Sequence, residues 1–161
     1  MVSRRRFLAL VGTATPVIAA AGLGYRLLPG ESTTPGSTPV IRWDEEPCAH
    51  CRMLISDRRY AAAWIEPGGR QMHFDDIGCM VSAMHQQAPP TASLLFARDY
   101  AEDTWLDAAV ALYVRADILH SPMAYGVAAF RNRPAAVAAL GVAASHFQSW
   151  DELTQMLAKA S

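Results

Sequence analysis

A stretch of proline, glycine, serine and threonine divides this chain and limits what can fold. Residues 29–39 contain almost nothing else, and such a composition cannot bury a core and is typical of a flexible tether. The sequence that follows, residues 40–161, is about 120 residues long, enough for one domain or two very small ones. We therefore expect a leader at residues 1–28, a linker at 29–39, and a folded region at 40–161 with halves at about 40–100 and 101–161.

The first 28 residues have the pattern of an export signal. Three arginines at positions 4–6 precede an apolar run over residues 7–23, which resembles the twin-arginine signature, although arginine pairs also occur in general secretion signals. Cleavage after Ala21 is one outcome. An uncleaved span of roughly 20 residues, anchoring the protein in the inner membrane, is the other. Both predict a periplasmic or otherwise extracytoplasmic protein.

The charge of the chain argues against nucleic acid as a partner. Beyond the leader, which holds four arginines, 10 Lys and Arg remain against 15 Asp and Glu, a formal charge near −5. We also expect no small-molecule substrate.

Two clusters of residues with soft donor atoms contain all three cysteines. The first holds Cys48, His50, Cys51 and Met53, and the second holds Met72, His73, Cys79 and Met80. Thiolate and thioether sulfur prefer Cu(I) to hard cations. A structural zinc site would need four Cys or His ligands in two spaced pairs. The clusters therefore predict a Cu(I) site.

Cys51 and Met53 are the central candidate ligands. They are two residues apart, so a loop or turn can direct both sulfurs toward one ion. One thiolate and two thioethers would make a neutral Cu(I) site, suited to an ion that is held and then handed on. Met123 is the natural third ligand, because Pro122 stiffens the backbone and Gly126 permits close approach. A place in the core is the commoner fate of methionine.

The other cysteines and the paired aspartates leave alternatives open. Cys48 could be a further ligand or could form a disulfide with Cys51 in an oxidising compartment. Cys79 is equally well interpreted as an auxiliary ligand and as a small buried hydrophobe. Asp75 and Asp76 are most simply explained as helix-capping residues.

Further histidines and methionines are weaker candidates. His50 and His73 could be auxiliary ligands or transfer groups, since imidazole binds copper, but surface or capped histidines are at least as common. Met80 is a possible auxiliary ligand. Met84 and Met156 lie at helical spacing and are most simply core residues.

Apolar spacing and turn residues predict an α+β fold of two small strand-strand-helix-strand units. The first has strands at 60–65, 70–74 and 93–97 and a helix of about a dozen residues from Asp75 or Asp76. The second has strands at 110–114, 126–130 and 145–147 and a helix at 134–140. A terminal helix at 150–157 is predicted to begin with a capping box of Ser149 and Glu152.

Three motifs in this order resemble the NosL family, exported copper-binding accessory proteins of nitrous oxide reductase. They are Cys48-x-x-Cys51-x-Met53, then Phe74-Asp75-Asp76-Ile77-Gly78-Cys79-Met80, then Ser121-Pro122-Met123 followed by Gly126 and Phe130. The resemblance covers essentially the whole folded region. It implies two α+β units distantly related to organomercurial lyase, and it favours Met123 as a ligand.

The resemblance also implies a function. The expected protein is a Cu(I) chaperone rather than an enzyme, loading copper into nitrous oxide reductase or another exported copper enzyme. Family members are typically lipoproteins, whereas no cysteine precedes Cys48 here, so we expect no lipid-modified cysteine.

Two enzymatic alternatives remain. The Cys-x-x-Cys pair could serve a thiol-disulfide oxidoreductase, although no thioredoxin-like pattern of strands and helices accompanies it. An organomercurial-lyase-like enzyme would need two thiolates and a carboxylic acid on one metal. Cys48, Cys51 or Cys79 with Asp75 could supply them, but the methionine-rich surroundings argue against this.

Overall fold

The structure is a computed structural model that describes residues 38–159, without the side chain of Val142. Ten helices and strands make up this part of the chain. They are β1 (Ala62–Ile65), β2 (Gln71–Phe74), α1 (Ile77–Gln86), β3 (Leu94–Arg98), β4 (Trp105–Asp107), β5 (Leu112–Arg115), β6 (Val127–Phe130), α2 (Arg133–Leu140), β7 (Phe147–Gln148) and α3 (Trp150–Ala158). Short 3-10 turns lie at Arg58–Tyr60 and Gly141–Ala143. The expected leader and most of the linker lie outside the described residues.

Two antiparallel sheets repeat one arrangement. The first has the strand order β2-β1-β3-β4 and the second the order β6-β5-β7. In each half a hairpin is followed by a helix, and the next strand returns to the free side of the hairpin's first strand. The predicted α+β fold of two strand-strand-helix-strand units is therefore confirmed. No helix within residues 38–159 is long and apolar enough to cross a membrane.

β4 is the strand that the sequence did not predict. It is three residues long and follows Glu102, Asp103 and Thr104, so it lacks both the length and the apolar alternation of a strand. It forms because the edge of β3 is available for pairing, Phe96 with Asp107 and Arg98 with Trp105. Such a strand depends on its partner, which local sequence does not reveal.

Backbone contacts attach the candidate site to this frame. The N-terminal turn of α1 is buried from Ile77 to Val81 and packs in the larger hydrophobic core. The loop that carries the first two cysteines is fixed to β2, because Ala49 N–H donates to the His73 carbonyl at 2.8 Å. The halves meet where Tyr100 N–H donates to the Ala129 carbonyl at 2.8 Å. Each part of the site thus rests on a regular element.

Candidate metal centre

A tight loop holds the first cluster, with its two ends paired. Cys48 N–H donates to the Met53 carbonyl at 2.7 Å, and Arg52 N–H donates to the Cys48 carbonyl at 3.1 Å. Arg52 has a φ of 69°, in the left-handed region that reverses the chain sharply. The loop therefore buries Cys48 completely, leaves Cys51 half-buried, and exposes 53% of Met53.

Two consecutive aspartates join β2 to α1 and have different roles. Asp76 is the N-cap of α1, since its Oδ1 accepts from Gly78 N–H at 2.8 Å. Asp75 is fully buried, and its Oδ1 lies 3.3 Å from the Cys51 thiol, which donates to it. The capping explanation was right for Asp76 and wrong for Asp75. Neighbouring side chains diverge here because the backbone of Asp76 is extended, with φ −141° and ψ 140°.

Cys79, the third residue of α1, completes a cluster with Asp75 and the other cysteines. One ligand atom from each of the four residues lies within 4.8 Å of all the others, in the set Cys48, Cys51, Asp75 and Cys79. All three thiols are free. Three sulfur donors and one carboxylate suit a soft or borderline cation better than a hard one. The structure therefore brings together two of the four predicted ligands and one auxiliary candidate.

Hydrogen bonds and burial give the three thiols different acidities. The hydrogen bond with the Cys79 thiol lowers the pKa of Cys48 to about 7 and raises that of Cys79. Burial raises the pKa of Cys51 to about 11. The metal-free cluster thus contains one thiol that ionises readily. A bound metal would have to displace protons from any other thiol that it engages.

The two predicted thioether ligands are exposed and lie on loops fixed to the thiol-bearing elements. Met53 is attached through its carbonyl to Cys48 N–H, as described above. Met123 is 37% exposed, and its N–H donates to Oδ2 of Asp76 at 3.1 Å. That bond holds the backbone of Met123 at the N-terminus of α1, the helix that carries Cys79.

The auxiliary candidates occupy different settings. His73 is buried, with Nδ1 2.6 Å from Glu46 Oε1 and Nε2 2.9 Å from Gln71 Oε1, so hydrogen bonds engage both of its ring nitrogens. His50 is half-buried on the cysteine loop. Met80 is fully buried in α1 and belongs to the larger core.

The sequence analysis explained Asp75 by helix capping and placed it beside the thiols only in the lyase alternative, whereas the structure sets it against Cys51. The sequence feature that could have predicted this is the position of Asp75 between the end of β2 and the helix cap Asp76. Where two successive residues join a strand to a helix, one of the two side chains faces inward. The half-buried Met84 and Met156 pack against the larger core, as predicted.

The fold and this cluster define an α+β protein with a thiol-rich candidate metal centre. The model of the NosL family matches residues 39–157, and the chain belongs to that family. The family predicted from the motifs is thus confirmed. No curated protein sequence matches the chain.

A solved structure has the same fold. The crystal structure of the copper chaperone NosL from Shewanella denitrificans aligns with a TM-score of 0.61 and 16% sequence identity. The alignment covers 74% of this chain and 98% of that one. The likeness to organomercurial lyase stays a prediction.

Proposed function

We propose that this protein is an exported Cu(I) chaperone that delivers copper during assembly of the copper centres of nitrous oxide reductase. One observation carries the proposal: a chain of the NosL family holds a cluster of three free thiols, and two exposed methionines lie on loops that are hydrogen-bonded to the elements bearing those thiols. The name of the structural relative, a copper chaperone, supports copper as the cargo. The protein acts by binding and transfer and needs no catalytic step.

Transfer by ligand exchange requires donors that a client protein can reach. Cys51 is half-buried and Met53 and Met123 are exposed, so a client's ligands can approach copper bound to these three residues. Asp75 orients the Cys51 thiol through its hydrogen bond, as outer groups commonly do around metal ligands. Cys48, which is completely buried, is a further donor within the same cluster.

Metal analysis tests the binding half of the proposal. The reduced protein should bind about one Cu(I), and much more tightly than Zn(II), because thioether and thiolate donors are soft. X-ray absorption should show short copper–sulfur scattering. Only oxygen and nitrogen scatterers around Cu(I) would contradict the ligand set.

A deletion strain tests the delivery half. In cells that make nitrous oxide reductase, loss of this protein should leave the reductase exported but short of copper, with partial rescue by added copper. The Cys51→Ser variant should be exported and equally unable to restore the reductase. A copper-replete, active reductase in the deletion strain at limiting copper would refute this client.

The position of Asp75 favours a second candidate, a lyase of carbon–metal bonds. When Cys51 binds a metal as thiolate, its proton could pass to Asp75, 3.3 Å away, and from that carboxyl group to carbon while thiolates hold the metal. This step would convert the carbon–metal bond into a carbon–hydrogen bond. Reduced protein mixed with methylmercury should release no methane if the chaperone proposal is right, and catalytic methane release would favour the lyase.

A further inference from the structure

A tyrosine from the second half of the chain lies directly on the first turn of α1. A Cβ at Gly78 would overlap the ring of Tyr125, so the absence of a side chain at Gly78 is what admits the ring. Further along α1, the Tyr125 hydroxyl and the Ser82 Oγ are 2.8 Å apart. The Tyr125 ring therefore packs against Gly78, the residue before Cys79, and is also held by a hydrogen bond to Ser82.

Tyr125 belongs to a loop of preset shape, residues 121–126, which we call the Met123 loop. Ala124 and Gly126 have φ values of 58° and 65°, and Gly126 N–H donates to Ser121 Oγ at 3.0 Å. A Cβ at Gly126 would lie only 3.2 Å from the Ala116 carbonyl oxygen. Two tightly turned residues and a short internal bond thus favour one loop conformation.

Two contacts attach the Met123 loop to α1, one on each side of Ala124. Met123 is held through its N–H on Asp76, and Tyr125 is held by Gly78 and Ser82. The methionine side chain itself remains exposed. The position of the Met123 side chain relative to the thiols therefore depends on the bond between its backbone N–H and Asp76, and on the contacts of Tyr125 with α1.

We propose that Tyr125 and Gly78 form a latch that positions Met123 for copper. Both are positioning residues, since neither supplies a donor to the metal. The proposal rests on the proposed function in one respect, that Met123 is a Cu(I) ligand. Opening of the latch would leave the Met123 loop attached to α1 by the Asp76 bond alone, so that the Met123 sulfur is no longer held in the ligand set while Cys51 stays in place.

Copper affinity, measured by competition with a chromophoric Cu(I) chelator, tests the latch. Tyr125→Ala should lower the affinity roughly 10- to 100-fold, the usual cost of removing a group that positions a ligand. Gly78→Ala should do the same by displacing the ring. Tyr125→Phe, which keeps the ring and loses only the bond to Ser82, should have a much smaller effect.

A double-mutant cycle separates positioning from general stability. If Tyr125 acts through Met123, Tyr125→Ala should cause no further loss of affinity in a Met123→Ala background. X-ray absorption of the Tyr125→Ala copper form should show one sulfur scatterer fewer than the wild type. Leu140→Ala is the control that should lower the unfolding temperature without changing copper affinity, because Leu140 is half-buried against a second hydrophobic cluster, around Val114 and Phe130.

The affinities of these variants can contradict the latch in two ways. Additive losses from Tyr125→Ala and Met123→Ala, or wild-type affinity in both Tyr125→Ala and Gly78→Ala, would overturn the latch and leave the copper site intact. Wild-type affinity in Met123→Ala would overturn the ligand assignment and the latch together. Should Tyr125→Ala fail to fold, Gly78→Ala and its cycle with Met123→Ala give the same decision.

Discussion

At the scale of single residues, exposure divides the candidate ligands into two groups. Cys48 and Cys79 are completely buried, whereas 53% of Met53 and 37% of Met123 is exposed. Cys51 lies between these extremes. Replacing an exposed thioether leaves no cavity, while replacing a buried thiol disturbs packing. Copper affinity and stability should therefore respond to different members of the set.

Cys51→Ser should abolish high-affinity Cu(I) binding, because it removes the central thiolate. Met53→Ala and Met123→Ala should weaken binding with little change in the free energy of unfolding, since both side chains are exposed. Chelator competition and denaturant unfolding on the same samples measure the two quantities.

Met84→Ala is the matched control for these methionines. Met84 is half-buried against the larger core, so its loss should cost less than the about 2–5 kcal/mol of a fully buried methionine. The copper affinity of the Met84→Ala variant should equal that of the wild type. If Met84 controlled affinity and Met123 only stability, the site would be wrongly placed.

The acidity of Cys48 predicts a pH dependence of stability in the reduced, metal-free protein. Its folded pKa is about 7 against an ordinary value of 9.0, so between these values the unfolded chain binds the extra proton and stability rises with pH. The contribution is lost as pH falls through 7. Above pH 9 the raised pKa values of Cys51 and Cys79 act in the opposite direction, and stability falls.

Urea unfolding from pH 6 to 10 measures this profile, in which we expect a maximum near pH 9. Cys48→Ser should remove the rise that begins near pH 7. A flat profile between pH 7 and 9 in the reduced wild type would contradict the assignment of the acidic thiol.

At the scale of elements, the sequence predicted the helices and strands that are marked by apolar periodicity and by turn and capping residues. The capping box of Ser149 and Glu152 starts α3 as expected, and the hairpin of β1 and β2 forms around residues 66–70. Strand β7 is Phe147–Gln148 rather than 145–147, because its extent is set by pairing with β5. The inward turn of Asp75 escaped prediction, since it depends on the backbone between two similar residues.

Asp76→Asn separates the two roles of the α1 cap. Asparagine keeps one oxygen for Gly78 N–H, but its NH₂ group cannot accept from Met123 N–H, so the helix should persist while copper affinity falls. Ser149→Ala, which removes the cap of α3, should cost about 1 kcal/mol and leave copper affinity unchanged. Circular dichroism and unfolding measure the helix and its stability, and chelator competition measures copper affinity. Equal copper affinity in the wild type and Asp76→Asn would contradict a role of the bond between Asp76 and Met123 N–H in copper binding.

At the scale of the whole molecule, the candidate site draws on both halves of the chain. Residues 48–53 and 75–79 lie in the first half, and the Met123 loop lies in the second. The cysteine clusters were visible in the sequence because their members are close along the chain. Their convergence with Asp75, and the attachment of the Met123 loop to α1, are tertiary facts.

Export is a property of the full chain and remains a prediction. If residues 4 and 5 belong to a twin-arginine signal, changing both arginines to lysine should leave the protein in the cytoplasm. Cell fractionation with immunoblotting measures this, and the variant should then resemble the deletion strain. Normal export of the double-lysine variant would favour the general secretion route.

The carboxylate of Asp76 ties an amide of each half to one side chain, and this has a consequence for amide hydrogen exchange. Separation of the halves would release the amide of Met123 alone, whereas fraying of α1 would release that of Gly78 as well. After correction for intrinsic rates, the Met123 amide should therefore exchange at least as fast as the Gly78 amide. Copper that bridges the halves should slow Met123 more, so the ratio of the two exchange rates reports how firmly the halves are closed on the metal.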